Sequence, residues 1–184
     1  MIEVRFHGRG GQGAVTSAEI VAQAAIKLNH YAQAFPSFGP ERRGAPVQAF
    51  LRVSSTPIRL RSKIYYPDNI IILDPTLLST ANPTVGLKEN GFIIINSNKS
   101  ADELKELFPG RNIAHVDASK IAKEELGIPI TNTTMIGALV KASDIVSIEA
   151  LEEPLRERFG VIAQKNINAY MRAYSETNII KGVK

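Results

Sequence analysis

Three glycines, Gly8, Gly10 and Gly13, stand at G-x-G-x-x-G spacing between two periodic stretches, and they constrain the fold more than any other feature. Before them Ile2, Val4 and Phe6 alternate with polar residues, as a strand does. After them residues 14–28 are amphipathic and rich in Ala, Ile and Val. The segment therefore reads as a strand, a glycine turn and a helix start. Glycine tolerates positive φ and lets the backbone approach a ligand closely. The free N–H groups of a helix start favour an anionic group such as a phosphate. The spacing alone is weak evidence, but here the strand precedes it and the helix follows.

The next residues narrow the ligand. A helix over 16–29 and a second strand over 30–35 would complete a β-α-β crossover with a right-handed connection. An NAD-binding unit places an acid at the end of that strand, about 20 residues past the glycines, to hold the ribose hydroxyls. This chain has no Asp or Glu there until Glu41, which argues against NAD. A P-loop needs Lys followed by Ser or Thr after its last glycine. Ala14 and Val15 follow Gly13, which disfavours ATP hydrolysis.

Residues 36–46 hold Pro36, Pro40, Pro46, Gly39 and Gly44, which exclude regular structure. The same loop carries Phe38, Glu41, Arg42 and Arg43. Such a loop is more often functional than a mere connector. The plainer reading pairs Glu41 with Arg42 in solvent, where an ion pair is worth little.

Farther along, 47–53 alternates as a strand, and 57–60 can return beside it as a hairpin. Residues 69–75 and 91–96 are continuous apolar runs, as expected of strands buried on both faces. Residues 76–80 read as a short helix. Ser100 and Glu103 form a capping box for a helix that stops near Phe108. A strand over 112–117 and a helix over 119–126 follow, the helix closed by Gly127. Residues 132–143 suit a buried helix, and two more helices run from Ser147 to Phe159 and over 163–177. The pattern predicts one α/β domain over 1–184, a Rossmann-like sandwich on a mostly parallel sheet with a small antiparallel insertion. Its ligand site belongs at the carboxyl ends of the strands, where the glycine turn and the turns at Asp74-Pro75 and Asn96-Ser97-Asn98 fall.

Composition excludes several chemistries. With no cysteine, this chain offers no disulfide, no thiolate nucleophile and no cysteine-held iron–sulfur cluster. His7, His30 and His115 lack metal-ligand spacing, so no metal site is expected. The net charge of +4 comes from cations spread along the chain, with few aromatics, so nucleic acid is not the expected partner. The chain shows neither a signal peptide nor a membrane-length apolar run, which predicts a cytoplasmic protein without a membrane partner. No catalytic constellation is visible, and no catalytic residue is assigned. Ser17 lacks a nucleophile-elbow context. Asp74 reads first as a turn residue capping the helix after it, and His7 as a hydrogen-bonded structural histidine.

Gly8-Arg9-Gly10-Gly11-Gln12-Gly13 with Ala18, the whole 36–46 loop, the strand end at Asp74-Pro75 and Asn132-Thr133-Thr134-Met135-Ile136-Gly137-Ala138 together resemble the gamma subunits of 2-oxoacid:ferredoxin oxidoreductases, most of all those of the pyruvate enzyme. The likeness covers nearly the full length. It implies a complex that converts pyruvate, coenzyme A and oxidised ferredoxin to acetyl-coenzyme A, carbon dioxide and reduced ferredoxin. It also implies alpha, beta and delta partner subunits that carry thiamine diphosphate and [4Fe–4S] clusters. Coenzyme A is then the candidate ligand of this chain. Gly8, Gly10, Gly11, Gln12 and Gly13 are the candidate phosphate cradle, with Arg42 or Arg43 as a clamp. Arginine also favours interfaces, so the 42–43 loop could instead dock against a partner subunit. Two other readings remain at this point. One is a free-standing NADP-binding reductase, with Arg42 and Arg43 on the 2′-phosphate. The other is a purely structural subunit of another 2-oxoacid oxidoreductase, in which the glycines serve only tight packing.

Overall fold

The computed structural model describes residues 1–37 and 44–182. The glycine turn joins β1 (Ile2–Arg9) to α1 (Ala14–Lys27), and β2 (Tyr31–Pro36) follows. Next come β3 (Pro46–Ser54), β4 (Asn69–Ile72), the single turn α2 (Leu77–Thr80), β5 (Phe92–Asn96), α3 (Ala101–Leu107) and β6 (Asn112–Val116). The chain ends with α4 (Ala118–Leu126), α5 (Asn132–Ser143), α6 (Glu152–Phe159), α7 (Ala163–Glu176) and β7 (Asn178–Ile180).

The strands form one sheet in the order β2-β3-β1-β4-β5-β6-β7. β1, β4, β5 and β6 pair in parallel, whereas β3 is antiparallel to both its neighbours and β7 is antiparallel to β6. β2 therefore runs in the same direction as β1, with α1 between them in sequence. The expected crossover is present, but it steps over the place that β3 then fills. The expected 57–60 hairpin does not form. The antiparallel partners of β3 are β1 and β2, so its ladder is complete on both sides and 57–60 runs without strand pairing. The short β7 lay hidden in the sequence, because three residues directly after a helix are too few to show a period of two.

Each face of the sheet selects its cover. On one face Val4, Phe6, Ala49, Leu51, Ile71, Ile94 and Ala114 join a core with residues of α1, α5 and α7. On the other, Ile70, Ile72, Ile93, Ile95 and Ile113 pack with Leu104 and Phe108 at α3. The β1–β3 half of that second face mixes polar and aromatic groups: Arg5, His7 and Arg52 are buried there beside Glu3 and Phe50. The 57–67 and 82–87 segments, rather than a helix, supply backbone carbonyl acceptors for Arg5 and Arg52.

Local signals in the sequence are seen in the helix ends. Ser100 Oγ accepts from the Glu103 amide, and the Glu103 carboxylate accepts from the Ser100 amide, which completes the capping box. These bonds, with the Lys99 charge, hold the Glu103 carboxyl down at about 2. Gly127 closes α4 with φ of 78°. The interior of α5 is buried because Gly137 lets α7 approach: a Cβ there would lie 2.0 Å from the carbonyl oxygen of Tyr170.

Candidate functional site

The site is built where β1 hands over to α1. Arg9 Nε donates to Asp74 Oδ2 over 3.1 Å, and Gln12 Nε2 donates to the same oxygen over 3.0 Å. Gln12 Oε1 accepts from the Arg9 amide over 2.7 Å. Asp74 Oδ1 accepts from the Thr76 amide and hydroxyl, so the carboxylate both closes its own turn and ties it to the glycine turn. Burial would raise the pKa of Asp74, but the bonds from Thr76 and Gln12 and the Arg9 charge outweigh it and hold the carboxyl below its ordinary value. Asn96 links the neighbouring strand ends: its Nδ2 donates to Leu73 O over 3.1 Å and to Ser119 Oγ over 2.9 Å. All three turns expected at the carboxyl ends of the strands are thus joined by hydrogen bonds.

The glycines divide the work. Gly8, the penultimate residue of β1, sits in close quarters, with Leu73 Cδ1 3.2 Å from where a Cβ would stand. The Gly10 amide donates to Ala45 O over 2.9 Å, and Gly10 O accepts from the Gly44 amide, so Gly10 is tied to residues 44–45. The Gln12 amide donates back to Arg9 O. These groups build the turn. Gly11 and Gly13, at φ of 92° and 75°, line a cleft together with Thr16, and nothing lies within 4 Å of a Cβ position on Gly11. Gly13 is the N-cap of α1 and offers no side-chain cap. The first intrahelical bond into it comes from the Ser17 amide, so the N–H groups of the first turn have no intrahelical partner. A Cβ on Gly13 would strike the Asn132 amide at 2.4 Å. The Asn132 backbone is pinned in turn by Ser17 Oγ, which donates to its carbonyl over 3.1 Å.

Before this helix end lies a cleft of about 350 Å³. Leu126, Ile128, Ile130, Phe159 and Ile162 form its apolar wall, and Arg158 and Lys165 supply the charge. Neither cation has an ion-pair partner among the described residues. An uncapped helix start, two unpaired cations and an apolar wall suit a ligand that is anionic at one end and apolar along its length. The sequence reading did not single out Arg158 and Lys165, which lie about 150 residues beyond the turn they face. Arg158 ends a helix whose exposed face carries many charges, so no local pattern distinguishes it. The predicted clamp, Arg42 and Arg43, lies outside the described residues, as do Phe38 and Glu41. The structure does place Gly44, directly after them, against Gly10.

His7 has the structural role expected of it. It is buried, and its Nε2 accepts from Arg5 Nε over 2.9 Å. Burial and then the Arg5 charge push its pKa down to about 3, so it is a neutral acceptor at ordinary pH. No group of His, Cys, Asp and Glu able to hold a metal ion occurs among the described residues. Nor is any of their helices long and apolar enough to cross a membrane.

Comparison with known proteins identifies the family. The pyruvate ferredoxin/flavodoxin oxidoreductase family matches residues 3–176. The common gamma subunit of the pyruvate/ketoisovalerate oxidoreductases of Thermococcus kodakarensis is 51% identical over 181 residues, covering 96% of this chain and 97% of that protein. The crystal structure of the pyruvate oxidoreductase subunit PORC of Thermotoga maritima superposes with a TM-score of 0.87 at 36% identity, over 98% of each chain. The fold also recurs within a longer chain, the 2-oxoglutarate:ferredoxin oxidoreductase of Magnetococcus marinus, solved with 2-oxoglutarate, coenzyme A and succinyl-CoA bound. There the TM-score is 0.78 at 20% identity, over 95% of this chain and 30% of that one.

Proposed function

This chain belongs to the pyruvate ferredoxin/flavodoxin oxidoreductase family as a gamma-type subunit of a 2-oxoacid:ferredoxin oxidoreductase, and on that premise we propose that its part in the reaction is to receive coenzyme A. The complex oxidatively decarboxylates pyruvate, moves the acetyl group to the coenzyme A thiol and delivers the electrons to ferredoxin. Thiamine diphosphate and [4Fe–4S] clusters on the alpha, beta and delta partners supply the decarboxylation and electron-transfer chemistry. This chain has no cysteine with which to hold a cluster. One gamma chain serves both pyruvate and ketoisovalerate enzymes in the Thermococcus relative, which fits a subunit that does not select the 2-oxo acid.

The observation that carries the reading is the uncapped start of α1 opening on a cleft with unpaired Arg158 and Lys165. Coenzyme A brings phosphates and a long, largely apolar pantetheine arm. The N–H groups at Gly11, Gly13 and Thr16 suit the pyrophosphate, and the wall from Leu126 to Ile162 suits the arm. Gly8, Gly10 and Gln12 hold the turn in the shape that presents those N–H groups. Gly44, which follows Arg42 and Arg43 in sequence, is bonded to the turn, and this supports reading the two arginines as a clamp on the same anion. Family membership leaves no support for the free-standing NADP reductase. The rival within the family is an arginine loop that docks against a partner subunit.

Calorimetric titration of coenzyme A into the assembled complex tests this, with Arg42→Ala/Arg43→Ala and Arg158→Ala/Lys165→Ala double variants and NADPH as the control ligand. Affinity should fall at least about tenfold, roughly the worth of one lost charge-assisted contact, in one or both variants. Unchanged affinity in both would overturn the reading. Normal affinity with lost assembly in the first variant would support the docking rival.

A further inference from the structure

The segment 57–67, between β3 and β4, carries Arg59, Arg61 and Lys63 and no acidic residue. All three cations are exposed, and none has an ion-pair partner among the described residues. They surround exposed rings and apolar groups: Tyr65 is 64% exposed, Tyr66 70% and Leu60 47%. The segment has no helix or strand, yet it is held from beneath by two buried arginines. Arg52 donates Nη2 to Ser62 O over 2.9 Å while its Nε bonds Glu3. Arg5 donates to Ile64 O over 3.4 Å and to Pro83 O over 3.0 Å, and also to Val85 O, which clamps this segment to the 82–87 turn. Gly86 packs so closely on Tyr65 O that a Cβ would stand 2.1 Å away.

The loop is thus a preorganised surface of like charges around aromatic rings, with no acid of its own to neutralise them. Arginine and tyrosine are the residue types enriched at protein interfaces, and preorganisation lowers the entropy lost on docking. The exposed rings and Leu60 favour a lasting contact over a transient encounter. Along the sequence Lys and Arg are spread rather than clustered, which disfavours a nucleic-acid surface. The loop also closes onto the start of β1, where the Asp68 amide donates to Glu3 O, at the opposite end of that strand from the glycine turn. Docking there leaves the cleft open.

We propose that the 57–67 loop docks an acidic face of another subunit of the same complex. The proposal rests on the reading of this chain as a gamma subunit. It is tested by co-expressing the tagged chain with its partner subunits and measuring co-purification at low and moderate salt. An Arg59→Glu/Arg61→Glu/Lys63→Glu variant is compared with a Lys105→Glu/Lys120→Glu/Lys123→Glu control of equal charge change, and each chain is also melted alone. Carbodiimide treatment of the wild-type complex, which couples a lysine to a carboxylate in direct contact, gives a readout independent of any variant. The expected results are at least about tenfold lower co-purification of the loop variant only, a match to the tenfold-per-contact scale of affinity, and a cross-link from Lys63 to an Asp or Glu of a partner. Wild-type assembly by the loop variant, or no Lys63 cross-link, overturns the proposal. So does nucleic acid that co-purifies with the wild type and is lost in a normally assembling variant. If the loop variant melts early, the cross-link alone decides. Should the wild-type chain fail to join a 2-oxoacid:ferredoxin oxidoreductase at all, the gamma-subunit reading falls first and this proposal with it.

Discussion

His7 shows how a single residue is defined by its surroundings. Buried beside Arg5 on the same face of β1, it accepts from Arg5, and burial and that charge push its pKa down to about 3. In the unfolded chain the same imidazole takes up a proton near its ordinary value of 6.5. Below that pH the unfolded state binds more protons, so this contribution to stability is complete above 6.5 and is lost as pH falls toward 3. The slope can reach about 1.4 kcal/mol per pH unit. Urea denaturation between pH 4.5 and 7 should show it, and His7→Gln, which keeps an acceptor for Arg5, should flatten the curve by about one proton. Burial lowers the pKa of His115 as well, so the variant retains a shallower dependence rather than none. Identical slopes in the two proteins would contradict this account of the Arg5–His7 pair.

Among the elements, α5 shows packing that depends on one missing methyl. Gly137 lies inside a helix, where glycine is unfavourable by about 1 kcal/mol relative to alanine, so local propensity alone would favour alanine there. The structure reverses that sign. A Cβ would meet the carbonyl of Tyr170 at 2.0 Å and the amide of Tyr174 at 2.8 Å, both backbone atoms of α7 that no rotamer change can move. Gly137→Ala should therefore lower stability by about 3 kcal/mol or more, the range of severe overpacking. Gly127 provides the internal comparison. It ends α4 at φ of 78° with nothing within 4 Å of a Cβ, so Gly127→Ala meets only the backbone cost of about 1–2 kcal/mol. Thermal melts of the two variants should separate clearly, with Gly137→Ala the lower.

For the molecule as a whole, the seven-stranded sheet presents two unlike ends to its surroundings. The carboxyl ends of the parallel strands carry the glycine turn and the cleft, and the polar face beside β1 carries the basic loop. This layout suits a subunit that handles a ligand at one place and is held in its complex at another. Purified alone, the chain should show no iron–sulfur absorbance and no pyruvate-dependent ferredoxin reduction, and activity should appear only when the partner subunits are added. Reduction of ferredoxin by the chain alone would refute the division of labour proposed for the complex.

Much of this molecule was determined locally. The alternation of Ile2, Val4 and Phe6, the glycine turn, the Ser100–Glu103 capping box, the Gly127 C-cap and the all-apolar strands over 70–72 and 93–95 are short-range patterns. Backbone sterics and hydrophobic periodicity make such patterns legible without coordinates. The strand–turn–helix shape of the glycine turn was legible for the same reason, as was the family through its two loops. The rest depends on contacts between residues far apart in sequence. The insertion of β3 between β1 and β2 and the pairing of β7 are set by which strand edges remain open once the core has formed. The use of Gln12 as a brace to Asp74, and the arrival of Arg158 and Lys165 before the start of α1, are set by how α6 and α7 pack. No short-range period encodes those distances, so only the tertiary structure could decide them.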